Sequence, residues 1–149
     1  MVFYHIPVLL KESIEFLAIK PDGIYLDATF GGGGHAGSML EHLGPDGRLL
    51  VFDLDTQSQN NLPNDKRISW IHSNFRFIHQ VCRHRGIAGV DGILADLGVS
   101  WHQFDTPERG FSFRFDAPLD MRMNPSSSTT ASLILEKYTQ EDLASLFRR

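Results

Sequence analysis

The feature that most constrains this chain is an apolar run that breaks into glycine. Ile24-Tyr25-Leu26-Asp27-Ala28 leads, through Thr29 and Phe30, into Gly31-Gly32-Gly33-Gly34. A short apolar run of this kind predicts a buried strand, and the glycines at its exit let the backbone turn sharply and approach a ligand. A helix is predicted next, from about His35 to Leu43, stopped by the turn residues Gly44-Pro45-Asp46-Gly47. Arg48-Leu49-Leu50-Val51-Phe52 predicts a second strand running into Asp53-Leu54-Asp55. A short polar helix and a third strand from Ile68 to His72 follow. Then come a helix with Ile78, Val81 and Cys82 on one side and a fourth strand over Asp91–Asp96. Upstream, Pro7 opens a helical stripe of Leu10, Ile14 and Leu17, which Pro21-Asp22-Gly23 ends. Strands alternating with helices at this spacing predict an α/β fold, a parallel sheet with helices on its faces.

Beyond Gly98 the periodicity stops. Residues 98–125 read as one long loop rich in aromatics and charges, and a loop of that length is usually functional. Residues 131–149 read as two short helices, with Thr139 and Asp142 spaced as a capping box. At 149 residues and 42% hydrophobic, the chain has the length and composition of one folded domain, not of a disordered or fibrous protein. Its single cysteine, Cys82, forms no internal disulfide and fits a reducing compartment. The opening residues lack a signal-peptide pattern and no apolar run approaches membrane-spanning length, so a cytoplasmic protein with no membrane partner is expected. A net charge of -4 argues against holding nucleic acid by charge alone. The charge is uneven, however: residues 1–65 carry 3 basic and 9 acidic side chains, residues 66–149 carry 11 and 9.

The glycine run carries the strongest chemical signal. Gly32, Gly34 and Gly37 match G-x-G-x-x-G, and Asp53 ends the second strand where a ribose-binding acid belongs, so an adenosine-containing cofactor is expected. The plainer alternative is a glycine turn that serves packing. Asp27 discriminates among cofactors. A carboxylate at the mouth of a pyrophosphate site would repel that ligand by roughly a few kcal/mol. The ammonium and sulfonium of S-adenosylmethionine would instead be attracted. S-adenosylmethionine is therefore favoured over a dinucleotide, and the absence of G-x-x-x-x-G-K-[ST] disfavours a P-loop nucleotide enzyme. Asp53 is expected to accept hydrogen bonds from the ribose diol, the alternative being a helix cap; Asp55 is the better cap. Phe75, just after the third strand, either covers the adenine or belongs to the core.

The fourth-strand exit, Asp96-Leu97-Gly98-Val99-Ser100, should lie beside the first. Methyl transfer to an exocyclic base amine needs acceptors that orient the amine and take its proton, and Asp96 and Ser100 are candidates, or else plain helix caps. In the long loop, Trp101, Phe104, Phe111, Phe113 and Phe115 interleave with Arg109, Arg114 and Arg122. This mixture suits stacking on an unpaired base and holding its phosphates; core aromatics with solvated arginines read equally well. The seven histidines are scattered, with no zinc-ligand spacing, so no structural metal is expected.

Five ordered motifs carry a resemblance: Tyr4-His5-x-Pro7-Val8-Leu9-Leu10, Thr29 to His35, Asp96 to Ser100, Glu108-Arg109-Gly110-Phe111-Ser112 and Pro118-Leu119-Asp120-Met121-Arg122-Met123. Together the sequence resembles the bacterial ribosomal RNA small-subunit methyltransferase H family over nearly its whole length. The resemblance implies an S-adenosylmethionine-dependent enzyme that methylates N4 of a cytidine in 16S rRNA, with the small ribosomal subunit as partner. It places cofactor contacts at Gly33, Gly34, His35, Asp53, Phe75, Asp96 and Gln103, the last supplied by the resemblance alone. It implies a Rossmann-like methyltransferase fold with strand order 3-2-1-4. Residues 1–98 would be the cofactor-binding half, 99–125 a substrate loop and 126–149 the start of a helical insertion. Ala36, Leu54 and Trp101 depart from the family's usual residues. Family members are about twice as long, so the chain is expected to be an N-terminal half with poor activity alone and an apolar fourth strand open to pairing, including with a second copy. A noncatalytic RNA-binding or assembly module and an NAD-dependent oxidoreductase are the competing classes.

Overall fold

The computed structural model describes residues 7–148; Tyr4 and His5 of the opening motif lie outside them. The described chain divides into two compact units, with the boundary between Gly98 and Val99.

The first unit is a four-stranded parallel sheet of β1 (Ile24–Asp27), β2 (Arg48–Asp53), β3 (Ile68–His72) and β4 (Gly92–Leu94), in the order β3-β2-β1-β4. Alternation along the strands sorts the side chains to two faces. Tyr25, Leu49 and Val51 join Ile14 of α1 (Leu10–Leu17) and Ala36, Met39 and Leu40 of α2 (Gly34–His42) in one core cluster. Leu26, Leu50, Phe52 and Ile71 face the other way, against Ile78, Val81 and Cys82 of α3 (Ile78–His84). This is the helix-on-both-faces arrangement that the alternating pattern predicts, in the expected strand order.

Three boundaries differ from the sequence reading. The first helix begins at Leu10 rather than Pro7, after Leu9 in a left-handed conformation (φ 54°). The polar stretch Thr56–Asn61 forms a 3-10 helix, capped by Asp55, whose carboxylate accepts the Gln57 N–H. β4 is three residues long, not six. Its ladder ends where Ala28 N–H bonds the Leu94 carbonyl, because the Asp96 N–H turns instead to the Thr29 hydroxyl at 2.7 Å.

In the second unit the long stretch is more ordered than its lack of periodicity implies. It holds α4 (Trp101–Asp105) and a 3-10 turn at Pro107–Arg109, followed by α5 (Ala131–Lys137) and α6 (Gln140–Phe147). A five-residue helix has no period to detect; its signal is the box Ser100-x-x-Gln103, which forms as such. The Thr139–Asp142 box caps α6 as expected. Arg109 is buried, its Nη2 donating to the Arg122 carbonyl at 2.9 Å. Gly110 next to it has φ +70°, and a Cβ there would sit 2.6 Å from the Pro118 carbonyl oxygen. Only glycine fits that crossing.

Candidate functional site

The carboxyl edge of the sheet gathers the β1, β2 and β4 exits. Gly33 caps α2 in the left-handed region (φ +78°), which turns the chain from strand to helix within the glycine run. Asp53 at the end of β2 fixes that turn from the side. Its Oδ2 accepts the Gly31 N–H at 2.8 Å and its Oδ1 accepts the Asp55 N–H at 2.8 Å. Asn61 Nδ2 donates to the Gly31 carbonyl at 2.9 Å. Thr29 ties the β1 exit to the β4 exit through the bond from Asp96 N–H. The turn is thus held from three directions by the chain's own groups.

Three carboxylates share this edge. Asp27 is 1% exposed and accepts the Thr29 N–H at 3.0 Å. Burial pushes its carboxyl up to about 7, against that hydrogen bond, and the charges of Asp53 and Asp96 push the same way. Asp96 itself is exposed. His35, in the first turn of α2, is buried, and burial lowers its pKa although the Asp96 charge and a hydrogen bond with the Val8 backbone oppose this. Its Nε2 is the one buried side-chain polar atom among the described residues with no hydrogen-bond partner. A neutral imidazole whose other nitrogen is engaged presents a bare acceptor there, and such an atom stands ready for a donor. An edge of three carboxyls and a free acceptor fits a ligand with cationic donor groups and does not fit a phosphate.

A family model described as the MraW methylase family matches residues 2–149. The chain belongs to that family. Curated relatives share 54% identity, each named "Ribosomal RNA small subunit methyltransferase H". That of Bacteroides fragilis aligns over 97% of this chain and 47% of its own length. Those of Parabacteroides distasonis and Flavobacterium johnsoniae each align over 97% of this chain and 48% of their own. The chain therefore spans about half the length of the curated relatives it matches. A solved Streptococcus mutans chain in complex with SAH aligns at 26% identity, over 51% of this chain and 47% of its own, with a TM-score of 0.37, too low to support a comparison of folds.

In this MraW-family chain, Gly33, Gly34, His35, Asp53, Phe75 and Asp96 all lie in the first unit, at or just past the carboxyl ends of its strands. Gly34 also has a local packing reason: a Cβ there would lie 2.5 Å from Pro7 Cγ. Gly37 has open space around it. The third glycine of a dinucleotide fingerprint serves close helix–strand packing, so the literal G-x-G-x-x-G match lacks that mechanism here. Phe75 opens a 3-10 turn after β3, outside both core clusters and 43% exposed. Gln103 lies in the second unit, buried, its Oε1 accepting the Ser100 N–H at 2.9 Å while Ser100 Oγ accepts the Gln103 N–H. Ser100 is thus a helix cap.

Two sequence expectations change. Asp27 is not an open, ligand-facing carboxylate; the sheet edge buries it. The loop arginines are engaged within the second unit. Arg122 makes a two-pronged pair with Asp120 (2.6 Å) and donates to the Ser127 carbonyl, Arg114 pairs with Asp105, and Arg109 holds backbone carbonyls. The aromatics are freer: Phe113 is fully exposed, and with Phe111 and Phe115 it lines an open cleft of about 430 Å³. Sequence reasoning missed Thr29 and Asn61. Asn61 carries no sequence signal at all, being 30 residues from its partner.

Proposed function

We propose that this chain forms the cofactor-holding part of a cytoplasmic S-adenosylmethionine-dependent methyltransferase acting on N4 of a cytidine in 16S rRNA of the small ribosomal subunit. The observation that carries the reading is the acidic, pre-tied strand exit with the bare His35 acceptor, in a chain of the MraW methylase family whose curated relatives are named ribosomal RNA small subunit methyltransferases. S-adenosylmethionine supplies, when bound, a methyl group made electrophilic by its sulfonium.

The chain's own residues do the rest. Each Asp53 oxygen accepts one backbone N–H and keeps a second lone pair, enough to accept from both hydroxyls of a ribose diol. His35 Nε2 accepts from the ammonium, and the field of Asp27 favours positive charge nearby. Gly33 and Gly34 let the backbone approach the ligand and Phe75 covers the adenine; Gln103 is a further contact on the family resemblance alone. Asp96, exposed at the β4 exit, orients the cytosine amine and takes its proton after attack, so rate comes mainly from proximity and orientation. Residues 1–98 hold the cofactor, 99–125 form the substrate loop with Phe111, Phe113 and Phe115 as stacking surfaces for an unpaired base, and 126–149 begin a helical region. Among the described residues no strand pairs with the outer edge of β4, where Ile93 is half exposed, and a further strand or a second copy fits there.

Tritiated-methyl transfer to unmethylated small subunits tests the reading, with a full-length relative as positive control. Label on N4 of a cytidine, lost with Asp96→Ala, is the expected result for the polypeptide that carries this sequence in full. Subunit binding without label would show a noncatalytic module.

A further inference from the structure

The arginines of the long loop are engaged locally, so a polyanion needs cations elsewhere. Residues 66–90 carry five arginines and lysines and three histidines, with no acidic residue among them. The structure displays part of this charge on one face. Arg76 lies in the 3-10 turn that runs into α3, and Arg76, His79, Gln80, Arg83 and His84 fall at helical spacing i, i+3, i+4, i+7 and i+8. All five are exposed, opposite the Ile78, Val81 and Cys82 stripe that packs on the sheet. Arg85, also exposed, follows as the C-cap. Arg76, Arg83 and Arg85 make no ion pair among the described residues, and Arg76 stacks 4.5 Å from the centre of the half-exposed Phe77 ring. The acids that flank the segment are engaged: Asp65 with Arg67, Asp91 with Lys20. His79 and Arg83 also line a groove of about 350 Å³ beside the helix.

Favourable charge at a helix C-terminus accounts for Arg83 and His84 but not for Arg76, which sits at the opposite end, where the dipole disfavours a cation. A row of unpaired guanidiniums beside an exposed aromatic suits phosphates and unstacked bases. We propose that the outer face of α3, with Arg76 and Arg83 as its anchors and Arg85 just past the helix end, is a docking surface for the RNA phosphodiester backbone that starts beside Phe75 at the cofactor edge. This rests on the RNA-substrate reading above and adds where the backbone is gripped.

The test is filter binding of protein-free 16S rRNA to the full polypeptide across a salt series. Combined Arg76→Gln, Arg83→Gln and Arg85→Gln should weaken binding roughly 10- to 100-fold at about 150 mM salt and flatten the log–log salt slope by about 2. Thermal unfolding and S-adenosylmethionine affinity should stay as in the parent. A control with equal charge loss on other elements, Lys11→Gln, Arg48→Gln and Lys137→Gln, should lose less than about threefold. Parent-like rRNA binding by the α3 variant, or an equal loss in the control, would overturn the surface while leaving the substrate reading intact. An α3 variant that lost only binding to phosphatidylserine vesicles would overturn it in favour of a lipid. A parent that bound no rRNA would overturn the substrate reading and the surface together.

Discussion

At the residue scale, two carboxylates at the strand exits differ in burial, Asp27 fully buried and Asp53 only partly. Among the described residues no cation offsets Asp27, and its carboxyl is raised from 3.8 to about 7 by burial. The folded state therefore binds this proton more tightly than the unfolded chain does, so the Asp27 contribution to stability falls as pH rises from about 4 through 7. At roughly 1.4 kcal/mol per unit, the penalty reaches about 4 kcal/mol above neutrality. Asp27→Asn keeps an acceptor for the Thr29 N–H and removes the charge. Urea titrations should find the variant no more stable than the parent near pH 4 and markedly more stable at pH 8; a parallel pair of pH profiles would refute the assignment. Asp53 works the other way, as an acceptor for two backbone donors. Asp53→Ala orphans both and should lower stability by about 2 kcal/mol as well as weaken cofactor binding. Asp53→Asn, with one carbonyl oxygen, should fall between. Sequence reading identified both carboxylates but not their surroundings: spacing places Asp53 at a strand end, yet nothing in it shows that Gly31 already occupies one oxygen.

At the element scale, strand and helix order was legible because each strand's alternation and each helix's stripe is a local signal. Glycine, proline and Asx residues marked most of the stops. What was not legible is whatever closes over distance. β4 ends early because Thr29, 67 residues upstream, takes the Asp96 N–H. Arg109 looks solvent-directed in sequence and turns inward because the Arg122 and Met123 carbonyls, 13 and 14 residues on, receive it. Gly110 is the strictest of these positions, and Gly110→Ala should destabilise the second unit by about 2–4 kcal/mol, from the left-handed conformation and the contact with Pro118. Loss of amide protection across 107–132, with β1 and β2 unchanged, would be the hydrogen-exchange signature. In α4, Gln103→Ala should cost about 1 kcal/mol of helix stability while Gln103→Glu preserves the capping box. Gln103→Glu should keep the helix while weakening S-adenosylmethionine binding, which separates the capping role from the proposed cofactor contact.

At the scale of the whole molecule, the chain carries the strand-exit residues on a sheet whose β4 edge pairs with no further strand among the described residues. Its length first reads as one domain, yet it aligns with about half of each curated relative. The central claim is that the acidic, pre-tied edge holds S-adenosylmethionine and not a dinucleotide. Calorimetric titration of the chain near neutral pH with S-adenosylmethionine, and in parallel with NADH, tests this most directly. The account predicts one S-adenosylmethionine per chain, weakened about tenfold or more by Asp53→Ala, and no heat from NADH. Saturable NADH binding with none for S-adenosylmethionine would contradict it.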